Sequence, residues 1–316
     1  MKIFKDWRNL PATAKRACVA LGNFDGVHLG HVEVLRAAHV ARPDAPLAVR
    51  TFEPHPREYF RPQDPPFRLT LSRDRADALA VLGVTALYEL PFNAEFSHLT
   101  AGQFCQEVLH EGLGAVHLAC GGDFAFGHRR GGDVALLARQ AEAFGMGLTI
   151  VPPVSDGQGL ISSSRIRRLL QDGYPERAAL LLGRPYTIRG EVCHGDARGR
   201  TIGFPTANIP LGRHLEPARG VYAVTVRLPA GDEVNGVANI GQRPTVGGTE
   251  SRLEVHLFDF AGDIYGQELT VALHHFLREE QKFPSFEVLK AQIALDAAQA
   301  RAMLDRDQNP AKPLTP

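Results

Sequence analysis

The run Gly22-Asn23-Phe24-Asp25-Gly26-Val27-His28-Leu29-Gly30-His31 constrains this chain more than any other segment. A short apolar stretch, Ala17-Cys18-Val19-Ala20-Leu21, precedes it and reads as a buried strand; Val32-Glu33-Val34-Leu35-Arg36-Ala37-Ala38 follows it with helical character. Glycines and histidines in a strand-to-helix turn place free backbone N–H groups and the positive end of a helix at one edge of a sheet, where an α/β fold binds anions. Glycine lets the backbone approach an anion closely, and histidine can offer a proton or a positive charge near neutral pH.

The rest of the first half keeps a matching rhythm. Strands are predicted over Leu47–Phe52, Val84–Leu90, Ala115–Cys120 and Leu148–Val151, and helices over Arg73–Leu82, Ala101–His110, Val134–Phe144 and Arg165–Gln171. Thr100 with Gln103 predicts a capping box on the second of these helices. Such alternation predicts parallel strands with helices on both faces. Pro54–Pro66 reads as a proline-rich, irregular connection suited to a flap over a site.

After Gly183-Arg184-Pro185 the rhythm changes. Tyr186–Val192, Gly220–Leu228, Val234–Ile240, Leu253–Phe260 and Glu268–Phe276 are β-rich runs broken by Gly, Asp and Pro, which predict a small antiparallel barrel or sandwich. Phe286–Leu304 restores a helical period, and Asp305–Pro316 reads as a frayed tail. The expected division is therefore 1–183, 184–308 and a flexible 309–316.

With 316 residues the chain has room for two ordinary domains. Lys+Arg and Asp+Glu both number 35, so no global basic field argues for nucleic acid. No apolar run approaches the roughly 20 residues that cross a bilayer, and the N-terminus lacks the apolar core of a signal peptide. The four cysteines, Cys18, Cys105, Cys120 and Cys193, are scattered without a CxxC pair, which speaks against a disulfide framework or a zinc site. A cytoplasmic protein with reduced thiols is expected, with no membrane and no nucleic-acid partner.

Candidate site residues gather at predicted C-terminal strand ends: the first turn, Thr51-Phe52-Glu53-Pro54-His55-Pro56-Arg57, Gly121-Gly122-Asp123-Phe124-Ala125-Phe126-Gly127, and Ile161-Ser162-Ser163-Ser164-Arg165-Ile166-Arg167. Singly, each has a plain structural reading. The serines are N-cap residues, and Asp123 is a turn residue. In the second half Gly195, Gly199 and Gly203 permit a loop that folds around phosphates, and Thr206 and Asn208 offer oxygens for a hard cation such as Mg²⁺. Gly203–Thr206 reads equally as a β-turn. Glu254, on the same strand face as His256 by period-two alternation, reads as a solvent-facing strand residue or as a functional carboxylate.

Together these segments carry a resemblance. HxGH with an ISSTxxR-like segment, here with Ser164 in the fourth position, resembles the nucleotidylyltransferase superfamily; GNFDGVHLGH, TFEPHP, GGDFAFG and ISSSRIR resemble the FMN adenylyltransferase module of bacterial FAD synthetases. GRTIGFPTANI, NIGQRPT, EVHLFDF and DIYG resemble bacterial riboflavin kinase. The resemblance, to the bifunctional riboflavin kinase/FMN adenylyltransferase family, spans roughly residues 15–300. It implies a Rossmann-like nucleotidylyltransferase domain followed by a β-barrel kinase domain with a C-terminal helix.

It further implies two ATP-dependent steps, riboflavin to FMN and FMN to FAD, with Mg²⁺ in both. Glu254 then matches the catalytic carboxylate of the kinase step, and Thr206 and Asn208 the holders of Mg²⁺ and ATP phosphates. His28 is the candidate for stabilising charge on the α-phosphate, His31 for binding phosphate and orienting the loop, and Ser164 and Arg167 for the triphosphate. Asn23, Asp25, His55, Arg57 and Asp123 are candidates for nucleotide or FMN contacts. HxGH by itself leaves open a nucleotidylyltransferase for another phosphate acceptor, and a flavin-binding protein without turnover is the remaining alternative.

Overall fold

The computed structural model describes residues 1–194, 204–245 and 248–308. By packing, the chain forms two units, Met1–Pro65 with Thr70–Ser163, and Pro66–Leu69 with Ser164–Pro316.

The first unit is built on six strands: β1 (Lys2–Phe4), β2 (Cys18–Leu21), β3 (Leu47–Glu53), β4 (Ala86–Pro91), β5 (His117–Gly121) and β6 (Gly147–Val151). They lie in the order β1-β4-β3-β2-β5-β6, and every pairing is parallel. From β2 the chain builds outward through β3 and β4, then returns to place β5 on the other side. The switch point therefore lies between β2 and β5, and crevices at such points take ligands.

Alternation along the strands sends side chains to two cores. Val19, Leu21, Ala48 and Phe52 pack on one face with Phe96 of α4 (Ala94–Ser97), Leu137 of α6 (Val134–Ala143), Phe104, Val108 and Leu109. Cys18, Ala20 and Val49 pack on the other with Val34, Leu35 and Ala38 of α1 (Leu29–Ala41) and Ala76 and Leu79 of α3 (Ser72–Val81). The expected parallel sheet with helices on both faces is what the chain forms.

Three local features depart from the sequence expectation. β1 was not foreseen, being three residues long and largely exposed. Pro54–Pro66 is not wholly irregular, since Pro56–Phe60 forms a short helix, α2, with Pro at its first turn and a reciprocal cap between His55 and Glu58. The helix expected over Ala101–His110 opens with the Thr100–Gln103 capping box, as α5 (Ala101–Gln103), but continues as a π-helix over Phe104–Gly112.

The second unit holds β7 (Tyr186–Glu191), β8 (Ala207–Pro210), β9 (Gly220–Arg227), β10 (Glu233–Thr245), β11 (Gly248–Leu257) and β12 (Glu268–Glu279). They run antiparallel in the order β7-β12-β9-β10-β11-β8. The sheet nearly closes into a barrel because Cys193 N, just past β7, donates to Asn208 O of β8 at 2.8 Å. β8, for which the sequence predicts no strand, carries Asn208. Two helices precede the barrel in this unit. One is α7 (Ser163–Gln171), whose first residue closes the other unit; the second, α8 (Pro175–Leu182), was not foreseen and is stopped by Gly183 in the left-handed region at φ 74°.

The last helix, α9 (Phe286–Gln308), runs past the expected end at Leu304 and lays Ala297, Ala300 and Leu304 against Val221, Ala223, Val237 and Phe258. Residues 309–316, expected as a tail, lie outside the described residues. A bidentate pair fastens this helix: Arg278 Nη2 and Nε donate to the Asp296 carboxylate at 2.7 and 3.0 Å. Asp296 is 4 % exposed. Asp296→Ala strands the guanidinium against the helix, with an expected loss of about 3 kcal/mol, near the low end for breaking a buried pair. The check is a lower midpoint of urea unfolding of the full chain; an unchanged midpoint would show the pair to be dispensable.

Candidate active sites

In the first unit the site is the loop between β2 and α1. Its backbone is strained: Phe24, Gly26 and Val27 have φ of 51°, 89° and 44°. A β-branched residue in the left-handed region is costly and persists only when the surroundings hold it. Here they do. Asp25 Oδ1 accepts from Thr70 N at 3.0 Å, and Thr70 Oγ1 in turn accepts from Gly26 N at 3.0 Å. Ser163 Oγ donates to Asp25 O at 2.8 Å, and Thr51 Oγ1 to Asn23 O at 2.9 Å. Asp25 is only 2 % exposed, and its carboxylate is directed at Thr70. It shapes the loop.

The strained loop delivers His28 to the N-cap of α1. His31 N donates to His28 Nδ1, and His28 N donates to His31 Nδ1, both at 3.3 Å. The two rings stack with centroids 3.7 Å apart. A ring nitrogen that accepts from a backbone N–H carries no proton, so in each neutral imidazole the proton sits on Nε2. The spacing H-x-G-H is thus a reciprocal histidine cap that presents two N–H donors of fixed tautomer beside a helix N-terminus, an arrangement suited to phosphate. Gly30 leaves the room this needs, since a Cβ there would stand 3.1 Å from His28 Cε1 and Nδ1.

His55 repeats the device on α2. Its Nδ1 accepts from Arg57 N at 3.0 Å, while Glu58 Oε2 accepts from His55 N at 3.0 Å. Arg57 is exposed and paired with Asp64 at 2.9 Å. Asp123 is exposed in the loop after β5, and Asn23 is half-buried. Ser164 and Arg167 belong to the second unit, on α7. Ser164 is exposed, and Arg167 Nε donates to Phe67 O at 2.8 Å while its guanidinium lies over the Phe67 ring.

In the barrel, register brings together residues that are distant in sequence. Glu254 of β11 pairs with Asn208 of β8 on one side and with Asn239 of β10 on the other. Residues directly opposite across an antiparallel pair share a face, so the three side chains form one row. Asn239 Nδ2 donates to Glu280 Oε1 at 3.3 Å. Glu254 is exposed, Asn208 is buried, and Asn208 Nδ2 faces Thr206 O at 3.5 Å, which turns Oδ1 the other way. His256, two residues along from Glu254, donates from Nδ1 to Pro205 O at 2.9 Å and so anchors the segment just before Thr206.

Asn239, Glu280 and His256 are not among the site residues the sequence singles out; strand pairing identifies Asn239, and its hydrogen bond identifies Glu280. Gly195, Gly199 and Gly203 lie outside the described residues. Among the described residues no group of three or more His, Cys, Asp or Glu is arranged to hold a metal. The donor set at Thr206 and Asn208 is instead a hydroxyl and an amide oxygen, neutral hard donors of the kind that share Mg²⁺ with substrate phosphates.

Comparison with known proteins divides along the same lines. A family model of FAD synthetase matches residues 10–165, and one of riboflavin kinase matches residues 182–304. The bifunctional riboflavin kinase/FMN adenylyltransferase of Escherichia coli K12 is 43 % identical over 304 residues, covering 95 % of this chain and 97 % of its own. The protein of the same description from Pseudomonas fluorescens is 44 % identical over 295 residues, covering 91 % and 93 %. A solved structure from Streptococcus pneumoniae, described as a macrolide-efflux protein, superposes with a TM-score of 0.85 at 37 % identity, covering 95 % of this chain and 98 % of its own. Among the described residues of the present chain no helix is long and apolar enough to cross a membrane.

Proposed function

The chain belongs to the family of bifunctional riboflavin kinase/FMN adenylyltransferases, and from that premise we propose how its residues divide two reactions. It phosphorylates riboflavin with ATP to give FMN and ADP, then transfers an adenylyl group from ATP to FMN to give FAD and pyrophosphate. Neither another phosphate acceptor nor flavin binding without turnover is favoured, because both family models match in one chain. We assign 1–183 to adenylyl transfer and 184–308 to phosphorylation. A cytoplasmic setting fits the four unpaired thiols.

The observation that carries the kinase assignment is the row Asn208–Glu254–Asn239. The nucleophile is a ribityl hydroxyl, neutral at pH 7, which needs a base within hydrogen-bond reach. Glu254 takes its proton as the hydroxyl oxygen bonds to the γ-phosphorus of ATP and the bridging oxygen leaves with ADP. Thr206 and Asn208 would hold Mg²⁺ beside the phosphates, and the ion would supply neutralisation of charge on the transferred group. The loop bearing Gly195, Gly199 and Gly203 is assigned to the polyphosphate on its motif alone.

In the second reaction the nucleophile is the FMN phosphate. With a second pKa near 6 it is largely ionised at pH 7, so no strong base is required. The difficulty is bringing two anions together, and the residues answer it by donation and position. His28 Nε2–H steadies charge on the α-phosphate as the FMN oxygen bonds to it and pyrophosphate departs. His31 donates beside it and fixes the loop. Ser164 and Arg167 are assigned to the triphosphate, and Asn23, His55, Arg57 and Asp123 to nucleotide or FMN contacts. For Asp25 we propose the holding of the loop in place of a ligand contact.

Incubation with riboflavin, ATP and MgCl₂, followed by chromatography, tests the whole reading. FMN and then FAD are expected; riboflavin left unchanged overturns it. Gly30→Ala probes the first site. The added methyl presses on the His28 ring, and a misplacement of up to an ångström costs as much as about 100-fold in rate. Adenylyl transfer measured with FMN as substrate is expected to fall at least tenfold on that scale, with riboflavin phosphorylation unchanged. Full FAD output from this variant would show that the stacked pair tolerates displacement.

A further inference from the structure

Arg50 interrupts the apolar run of β3, and no motif accounts for it. It is 2 % exposed, and among the described residues no carboxylate pairs with it. Its Nε is sealed from solvent without a hydrogen-bond partner. The guanidinium carbon lies 4.5 Å from the ring centre of Phe52, 5.1 Å from Phe104 and 5.6 Å from Phe124. Burial draws its pKa from the usual arginine range down to about 9. Three aromatic faces offset part of the cost of burying the charge, but a buried cation with neither counter-ion nor full hydrogen bonding is a group the fold alone does not explain.

Position narrows what it serves. Arg50 is three residues before the end of β3, paired with Leu21 of β2 and Tyr88 of β4. It therefore lies at the carboxyl edge of the sheet, next to the strand that feeds the strained loop. Its strand neighbours Ala48 and Phe52 belong to the core face of Phe104, whereas Val49 belongs to the face that packs on α1. Arg50 is thus on the opposite face from the His28–His31 cap and the helix N-terminus that serve the nucleotide phosphates. Phe124, from the loop after β5, is half-buried over it. At this place flat aromatic walls surround a guanidinium fork. A guanidinium fork also takes phosphate, but aromatic walls on three sides favour a planar heterocycle with oxygen acceptors along one edge, which can pack on the rings while its oxygens accept from the fork.

Resting on the adenylyl-transfer reading above, we propose that Arg50 recognises the pyrimidinedione edge of the flavin ring of FMN, its terminal nitrogens donating to the ring carbonyls, and so selects flavin as the adenylyl acceptor.

The experiment compares wild type with Arg50→Met, which keeps the length and apolar stem, and Arg50→Lys, which keeps the charge without the fork. Adenylyl transfer is measured with FMN and ATP varied separately, and lumiflavin, a flavin ring without the ribityl phosphate, is used as inhibitor. Loss of a charged hydrogen bond predicts a rise of about tenfold or more in the KM for FMN and in the lumiflavin inhibition constant. The KM for ATP and the rate of riboflavin phosphorylation should stay within about twofold. Arg50→Lys should fall between. If Arg50→Met also loses riboflavin phosphorylation, Arg50→Lys decides by the same split.

An unchanged KM for FMN overturns the proposal. So does a parallel rise for FMN and ATP, and so does a rise for FMN with lumiflavin inhibition unaltered, which would place the contact on the phosphate. Failure of the wild type to make FAD would sink the family-based reading instead, and is seen before any variant is assayed.

Discussion

Glu254→Ala is expected to abolish FMN formation from riboflavin while leaving the conversion of added FMN to FAD at the wild-type rate. A positioned general base contributes about 10²–10⁴-fold, and the neutral ribityl hydroxyl depends on it fully. Glu254→Gln should behave alike, because the amide keeps the shape and loses the capacity to take a proton. Stability should barely change, since Glu254 is exposed on its strand and exposed substitutions usually stay within about 0.5 kcal/mol. Separate assays with riboflavin and with FMN, each followed by chromatography, read both halves from one preparation. Riboflavin phosphorylation near the wild-type rate in the alanine variant would move the base to another residue.

The mirror experiment is at His28. Replacement by alanine should make the enzyme accumulate FMN, with adenylyl transfer lowered about 10²–10³-fold, the scale set by removing one donor from a site of developing charge. The same change also removes the N-cap of α1, worth about 1 kcal/mol. His28→Asn separates the two effects. Its side-chain oxygen can accept from His31 N and keep the helix start, but it lacks the imidazole Nε2–H. Equal loss in both variants assigns the effect to the ring donor. Recovery of FAD synthesis in the asparagine variant would reduce His28 to a cap.

The two halves were readable to different depths. The parallel unit was plain because buried strands such as Cys18–Leu21 and Leu47–Glu53 alternate with amphipathic helices, and hydrophobic period is the strongest local signal. β1 escaped because three largely exposed residues carry no period. α2 escaped because its prolines read as a breaker, when Pro56 sits at the first turn, where proline is at home. β8 has no strand signal of its own because four residues at a barrel edge are too short to carry a period.

The row Asn208–Glu254–Asn239 illustrates the deeper limit. Motifs single out Glu254 and Asn208, but Asn239 joins them through strand register and Glu280 through its hydrogen bond with Asn239, neither of which a single stretch of sequence states. Arg50 does leave a trace, a charged residue directly after the apolar run Leu47–Val49 of a buried strand. Its significance lies in what it lacks once folded, and that appears only with the packing around it.

The barrel row has a consequence for how activity is acquired during folding. Two of its members lie on the consecutive strands β10 and β11, which pair up to Thr245 and Gly248, but Asn208 belongs to β8, separated from both by β9, and the row is complete only when β8 lies beside β11. Contacts between remote segments form late, after the entropy of closing the intervening loops has been met. A half-assembled barrel therefore holds no feeble version of this centre. On the proposed kinase reading, competence waits for β8 to dock, so a nascent or damaged chain without that strand squanders no ATP on the vitamin.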